Sequence, residues 1–272
     1  MSVDTWQASI RLEFKRDSNG KTKLTRNLHF GPLVVQKPFY PEKACHVYLL
    51  HPPGGIAGCD SLSVEVLADE GTCVLVTTPG ATKFYKTDGT VSKFTQYFKV
   101  RKNSTFEYLP AQNIYFKGTH TFVKTVFDLE DNARFIFRDV SKCGMKDESE
   151  PFADSFLFNT VVIRHNGREK LIESSRIDGN CDFYAKGSNN GFAYTGTYIS
   201  NAVKEKTLEQ VREFLCTHEH FKASCGITDD YFIVRFLSED NESVEKAIVK
   251  IWEMTRTEVT GLAPCPPRVW ST

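Results

Sequence analysis

Side chains able to do chemistry crowd two loops. The first reads His51-Pro52-Pro53-Gly54-Gly55-Ile56-Ala57-Gly58-Cys59-Asp60, the second Thr77-Thr78-Pro79-Gly80-Ala81-Thr82-Lys83-Phe84-Tyr85. An imidazole, a thiol and a carboxylate flank the first, a donor set suited to a soft or borderline divalent metal. Its glycines permit positive φ and a close approach of backbone to a ligand or partner. Spacing alone favours a plainer arrangement, a tight turn in which Asp60 caps free N–H groups, because three mixed ligands on one loop make a weak site. The second loop has a glycine turn before Thr82 and Lys83 but lacks the spacing of a phosphate-binding loop. It reads as a turn presenting Thr82, Lys83 and Tyr85 on a strand.

Other candidates are weaker. His218 and His220 stand i, i+2, which on a helix turns them about 200° apart and prevents shared ligation. Glu107, Asp128, Asp139, Glu148 and Glu150 fall within or beside predicted strands, where an inward carboxylate is costly unless paired or hydrated. A polar interior or a solvated outer face would each accommodate them. No G-x-S-x-G elbow occurs, and no cysteine has a protease-like context, so no nucleophile is evident. The eight cysteines form no C-x-x-C pair, which argues against a zinc cage. Most are expected to be reduced, small core hydrophobes.

The elements that must position these residues are mostly strands. Ser9 to Phe14 alternates polar and apolar, as a half-buried strand should. Further strands are expected at 28–35, 45–50, 62–68, 73–78, 93–100, 104–109, 121–129, 133–140, 154–164 and 169–175. This spacing suits an all-β layered, barrel-like or solenoid-like body over about 1–200, although no strict sequence repeat is visible. A C-terminal layer follows over about 205–260. Thr207 and Gln210 suggest a capping box for a first helix, with Leu208, Val211, Phe214 and Leu215 on one face. Ala223 to Gly226 reads as a break, and Tyr231–Leu237 as a buried strand. A second helix capped by Asp240 or Asn241 turns Val244, Ala247, Ile248, Ile251 and Trp252 inward and stops at Gly261. The fold class is therefore mainly β with a helix–strand–helix layer, read as one domain over 1–272.

Thirty-four basic residues balance 34 acidic ones, so no net field draws the chain to nucleic acid or anionic lipid. No apolar run approaches the roughly 20 residues that span a bilayer, and Met1–Trp6 has no signal-peptide character. A soluble, cytoplasmic protein is expected.

The two loops also resemble the hallmark segments of the urease accessory protein family UreD, or UreH. Gly31-Pro32-Leu33 through Pro41, Glu107-Tyr108-Leu109-Pro110 with Asn113-Ile114-Tyr115-Phe116, Val234–Ser238 and Pro267-Arg268-Val269-Trp270 extend the likeness across the chain. The resemblance implies a solenoid-like β body with two C-terminal helices. It implies a non-enzymatic chaperone that helps insert nickel into apo-urease, in complex with UreF and the GTPase UreG, with no tightly bound cofactor. Nickel is expected to pass transiently through a polar internal channel. Asp60, Thr82, Tyr85, Glu107 and Asp139 become its candidate lining, with His51 and Cys59 nearby, since oxygen ligands hold a divalent ion loosely. Glu150, Phe152, Arg268 and Trp270 become partner-binding candidates. Departures from the family pattern are Cys59 in place of a glycine, Ala111-Gln112, and Gly144-Met145 where an arginine is usual. The competing expectation is a cupin-like metalloenzyme using His46, His51 and His120 with a carboxylate, although the tight H-x-H group of such enzymes is missing from the β portion.

Overall fold

The structure, a computed structural model, describes residues 6–144, 152–181, 183, 185–186 and 189–271. Alternation of period two shapes its first strands. In β1 (Gln7–Arg16), Ala8, Ile10, Leu12 and Phe14 are buried while Ser9, Arg11 and Lys15 face water. β2 (Thr22–Phe30) pairs antiparallel with β1 and forms a sheet edge, and the short β3 (Val34–Val35) leads into β4 (Cys45–Leu50).

The chain then winds in coils. β5 (Ser61–Ala68), β6 (Cys73–Thr77), β8 (Ser92–Val100), β9 (Thr105–Leu109), β11 (His120–Leu129), β12 (Arg134–Cys143) and β13 (Phe156–His165) fall alternately into two sheets. Neighbouring coils pair in parallel: Ser61 lies beside Lys93, Ser92 beside Thr121, and His120 beside Phe156. A short third side carries β7 (Thr82–Phe84) and β10 (Asn113–Tyr115). At one corner Gly71, Asn103 and Asn132 all take left-handed φ, at 69°, 57° and 57°. Gly and Asn adopt that conformation at low cost. Each turn hydrogen-bonds to the next, Gly71 N to Lys102 O and Asn103 N to Asp131 O. The fold is thus the mainly β, solenoid-like body expected. Its coils repeat in backbone register while the side chains at matching positions differ, which hides the repeat from sequence comparison.

A seven-stranded sheet, closed by β14 (Arg168–Asp178), faces a ten-stranded one extended by β15 (Tyr194–Asn201), β16 (Phe221–Thr228) and β17 (Tyr231–Ser238). Phe98 packs between them against Phe106, Tyr108 and Phe127, with ring centres 5.0, 4.6 and 5.0 Å away. Helices α1 (Glu205–Cys216) and α2 (Asn241–Thr260) cover the outer face of the ten-stranded sheet and make a second core around Trp252, Ile251 and Leu208.

Two details of the C-terminal layer differ from expectation. Residues 221–228 form β16 rather than a break, so the layer is helix–strand–strand–helix. Its small residues and Gly226 mask the strand pattern, and it lies at the sheet edge, where alternation is weak. Helix α1 begins two residues before Thr207, with Lys204 at the N-cap and no side-chain cap, so the expected capping box does not form. Asp240 does cap α2, accepting from Glu242 N and Ser243 N, and Gly261 ends it at φ 73°. Among the cysteines, all free, Cys45, Cys73 and Cys143 are buried, while Cys181 and Cys216 are exposed and the others half-buried. The core therefore takes fewer of them than expected.

Candidate functional site

The two sheets do not pack dry along their whole length. Where β13 and β14 diverge from β12, β15, β16 and β17, they leave a cavity of about 670 Å³ bordered by Asp139, Ser141, Asn159, Glu173, Thr197 and Arg235, among others. A smaller cavity of about 190 Å³ lies under the two hallmark loops and is lined by His51, Leu62, Thr82, Phe94 and Tyr108, among others.

The third side of the coil runs between them. β7, β10 and the end of β12 pair in parallel, placing Thr82 beside Asn113 and Asn113 beside Ser141. Parallel partners in register project to the same side of a sheet. Two residues on, Phe84, Tyr115 and Cys143 are fully buried, so this is the inner side. Thr82 borders the small cavity, Ser141 the large one, and Asn113 stands between. Three oxygen-bearing side chains thus step from one cavity to the other, roughly 4.8 Å apart.

Asp139 sits at the inner end of this ladder. The alternation in β12 turns Phe135, Phe137, Asp139 and Ser141 inward and Ile136, Arg138 and Val140 toward α2. Asn113 Nδ2 donates to Asp139 Oδ1 at 2.9 Å and Asn159 Nδ2 to Oδ2 at 2.5 Å. Both partners are neutral. Burial pushes the carboxyl above its ordinary value, and the two amide bonds only partly oppose that. Asn159 Oδ1 is buried and has no hydrogen-bond partner among the described residues. A half-buried carboxylate held by neutral groups is open to a divalent cation, which would supply the missing charge. The far wall is braced by Arg235, whose Nε and Nη2 each donate to Glu173 at 2.6 Å, tying β17 to β14.

A family model described as UreD urease accessory protein matches residues 7–271. The chain belongs to the UreD family. It is 36% identical over 269 residues to the urease accessory protein UreD of Enterobacter sp. (strain 638), covering 98% of this chain and 96% of that one. Identity to its counterpart in Pseudomonas entomophila (strain L48) is 35% over 270 residues, with coverage of 98% and 95%. For Alcanivorax borkumensis it is 32% over 273 residues, covering 98% and 92%.

Not every residue suggested by likeness to the UreD family reaches the inter-sheet space. Asp60 is a loop cap: Oδ2 accepts from Ala57 N at 2.9 Å and Oδ1 from Trp6 N at 3.1 Å. Cys59 is half-buried in that turn. His51 lines the small cavity, where burial lowers its pKa more than the nearby Asp60 raises it, favouring a neutral ring. Tyr85 lies outside: its ring stacks on Phe116 at 5.1 Å and covers Gly55, where an added Cβ would fall 2.1 Å from the ring. Only glycine fits there. Replacing Asp60 by alanine frees two backbone donors, and hydrogen bonds to a charged acceptor contribute about 1.5–3 kcal/mol each. A loss of about 3 kcal/mol in urea-induced unfolding, the low end for two such bonds at a partly exposed turn, is the expected result, and an unchanged midpoint would refute the capping role.

Glu107 faces away from both cavities, because β9 turns Phe106 and Tyr108 inward and Glu107 under α2. Trp252 Nε1 donates to Glu107 Oε2 at 2.7 Å, and Arg256 donates from Nε and Nη2 at 3.1 and 2.9 Å. Arg256 also reaches Glu42 and the carbonyl of Ala263. His46, fully buried, donates from Nε2 to Glu42 at 2.8 Å. Burial opposes the charge of Glu42, but His46 and Arg256 outweigh it and hold the carboxyl below its ordinary value. Glu107 is therefore part of a sealed ion-pair network.

The partner candidates divide. Phe152 is 1% exposed and packs on Phe183 at 5.9 Å, which makes it a core residue rather than a contact surface. Glu150 lies outside the described residues. Arg268 and Trp270 form the closing turn Arg268–Ser271, with Arg268 exposed. Trp270 Nε1 donates to Thr77 at 3.2 Å, its ring meets Trp252 at 5.2 Å, and Arg138 lies over it at 5.0 Å. It borders a groove of about 530 Å³ with Lys246, Lys250 and Glu253 of α2.

The histidines do not converge. His46 is engaged with Glu42, His120 Nε2 donates to the Asp154 carbonyl at 2.8 Å, and His51 lines the small cavity. His218 Nδ1 donates to the Phe214 carbonyl at 2.8 Å. No three His, Cys, Asp or Glu side chains among the described residues are grouped to hold a metal ion, which removes the ligand set of the cupin-like reading. Asn113, Asn159 and Glu173 escaped the sequence reading. Asn159 was the most accessible of them, because it interrupts the inward apolar series Leu157, Val161 and Ile163.

Proposed function

We propose that this chain is a non-enzymatic chaperone of urease maturation that supports nickel insertion into apo-urease. UreF and the GTPase UreG are the proposed partners, with the α2 groove around Trp270 as the contact face for UreF. Membership of the UreD family supports the role. The observation that carries the mechanism is the ladder Thr82–Asn113–Ser141, with Asp139 at its inner end, lying between two cavities.

Nickel is cargo in this reading, not a resident cofactor. Hydroxyl, amide and single carboxylate oxygens bind a divalent ion weakly enough to release it, whereas a histidine–cysteine cage would retain it. Asp139 supplies a full negative charge at the inner end of the ladder, and His51 stands near its outer end. No helix among the described residues is long and apolar enough to cross a membrane, and a cytoplasmic site of action is proposed.

The decisive test is co-expression of apo-urease with UreF and UreG, with and without this chain, scoring nickel-dependent urease activity. Activity should require the chain. Full activation without it would overturn the reading.

A further inference from the structure

Both helices pack on the ten-stranded sheet, and among the described residues no further layer covers the outer face of the seven-stranded sheet. Five large hydrophobic side chains stand exposed on that face: Leu28, Phe30, Tyr97, Phe122 and Ile172, at 50, 67, 38, 40 and 55%. The strand registers establish that they share one side. Phe30 is opposite Ser9 and Leu28 opposite Arg11 on the solvent side of β1, whose Ala8, Ile10 and Leu12 point into the core. From Arg11 the same row runs through Glu65, Tyr97, Val126 and Val162 to Ile172. Phe122 neighbours Phe158 in the next strand and meets Phe156 and Phe158 edge-on at 5.7 and 5.9 Å. A soluble monomer rarely concentrates exposed apolar surface in this way. Seven strands make a platform roughly 30 Å wide.

Charge identifies the occupant. Lys93 and Lys124 flank Phe122 and form no ion pair among the described residues, and Arg176 lies over Phe156 at 5.6 Å. The carboxylates nearest the cluster are engaged, Asp128 by Lys99, Glu169 by Arg164 and Asp178 by the backbone N–H of Asn180, while Glu65 stands two strands from Phe122 beside Tyr97. A second copy meeting this cluster about a two-fold axis would set cations against cations. We infer that the outer face of the seven-stranded sheet docks an acidic, apolar-bearing surface of apo-urease, separate from the α2 groove. The inference rests on the urease-maturation reading.

The test uses this chain co-purified with UreF and UreG and, as probe, apo-urease immobilised for binding measurements. Two variants are compared with wild type: the triple reversal Lys93→Glu/Lys124→Glu/Arg176→Glu, and Phe122→Ser. Each is expected to weaken apo-urease binding by about tenfold or more while leaving the UreF–UreG complex intact. The triple variant should also lose most of the salt dependence of the association rate. Unchanged binding in both variants would overturn the docking face. So would loss of UreF with urease binding retained, or loss only of affinity for anionic phosphatidylserine vesicles. Failure of the wild-type complex to bind apo-urease would overturn the maturation reading itself.

Discussion

Replacing Arg256 by alanine is expected to destabilise the protein by about 3–5 kcal/mol, the usual cost of stranding one member of a buried ion pair. Arg256 is fully buried and is shared by Glu107 on β9 and Glu42 before β4. Its removal leaves Glu107, 1% exposed, with Trp252 as its remaining side-chain donor among the described residues. Urea unfolding would show the midpoint falling sharply at an unchanged slope. The double variant Glu107→Leu/Arg256→Met should recover much of the loss, since a buried pair replaced by apolar groups is often neutral. No loss in the single variant would refute the account.

The same network sets a pH dependence. Glu42 has a folded-state pKa below its ordinary value. Its contribution is therefore present above the usual carboxylate range and is lost as pH falls through the lowered value. Wild-type stability should drop on acidification below roughly pH 4, and Glu42→Gln should blunt that drop.

The second large effect concerns transport rather than folding. Asp139→Ala is expected to abolish most nickel-dependent activation of urease while the complex with UreF and UreG still assembles. The variant removes the only formal charge along the Thr82–Asn113–Ser141 ladder and leaves the amides of Asn113 and Asn159 without their common acceptor. Removal of a carboxylate whose charge no cation balances should offset the loss of these two bonds and keep the unfolding midpoint close to that of wild type. A stable variant that matures urease normally would exclude Asp139 from the path. Asp139→Asn separates charge from shape: it retains size and one of the two acceptor oxygens, and should be nearly as defective as alanine if charge is what the ion requires.

Much of this was legible in the residues. Period-two alternation located most of the coil strands, and the C-terminal helix faces followed from the spacing of Leu208, Val211 and Leu215 and of Val244, Ala247, Ile248 and Ile251. Alternation also contains the distinction between Glu107 and Asp139, since each lies between neighbours whose inward or outward sense is fixed by their apolar partners. Family likeness grouped the two carboxylates as one site, and strand parity separates them. The polar ladder was not legible. It depends on which coil lies beside which, and so on pairings between Thr82, Asn113 and Ser141 that no local pattern encodes. The exposed aromatic face was hidden for the same reason, because Leu28 and Ile172 become members of one surface only across seven strands.

The corner column of Gly71, Asn103 and Asn132 bears on how such a chain tolerates change. Every coil hands its neighbour the same backbone register, so a single inserted residue within a strand would reverse the facing of the side chains beyond it. Between β11 and β13 the paired positions His120 and Phe156 are farther apart in sequence than Ser92 and Thr121 one coil earlier, yet the ladder continues unbroken. Length variation is thus absorbed between strands. Insertions and deletions accumulated by descent should therefore gather at the coil corners, leaving the residue-by-residue pairing within each strand unchanged.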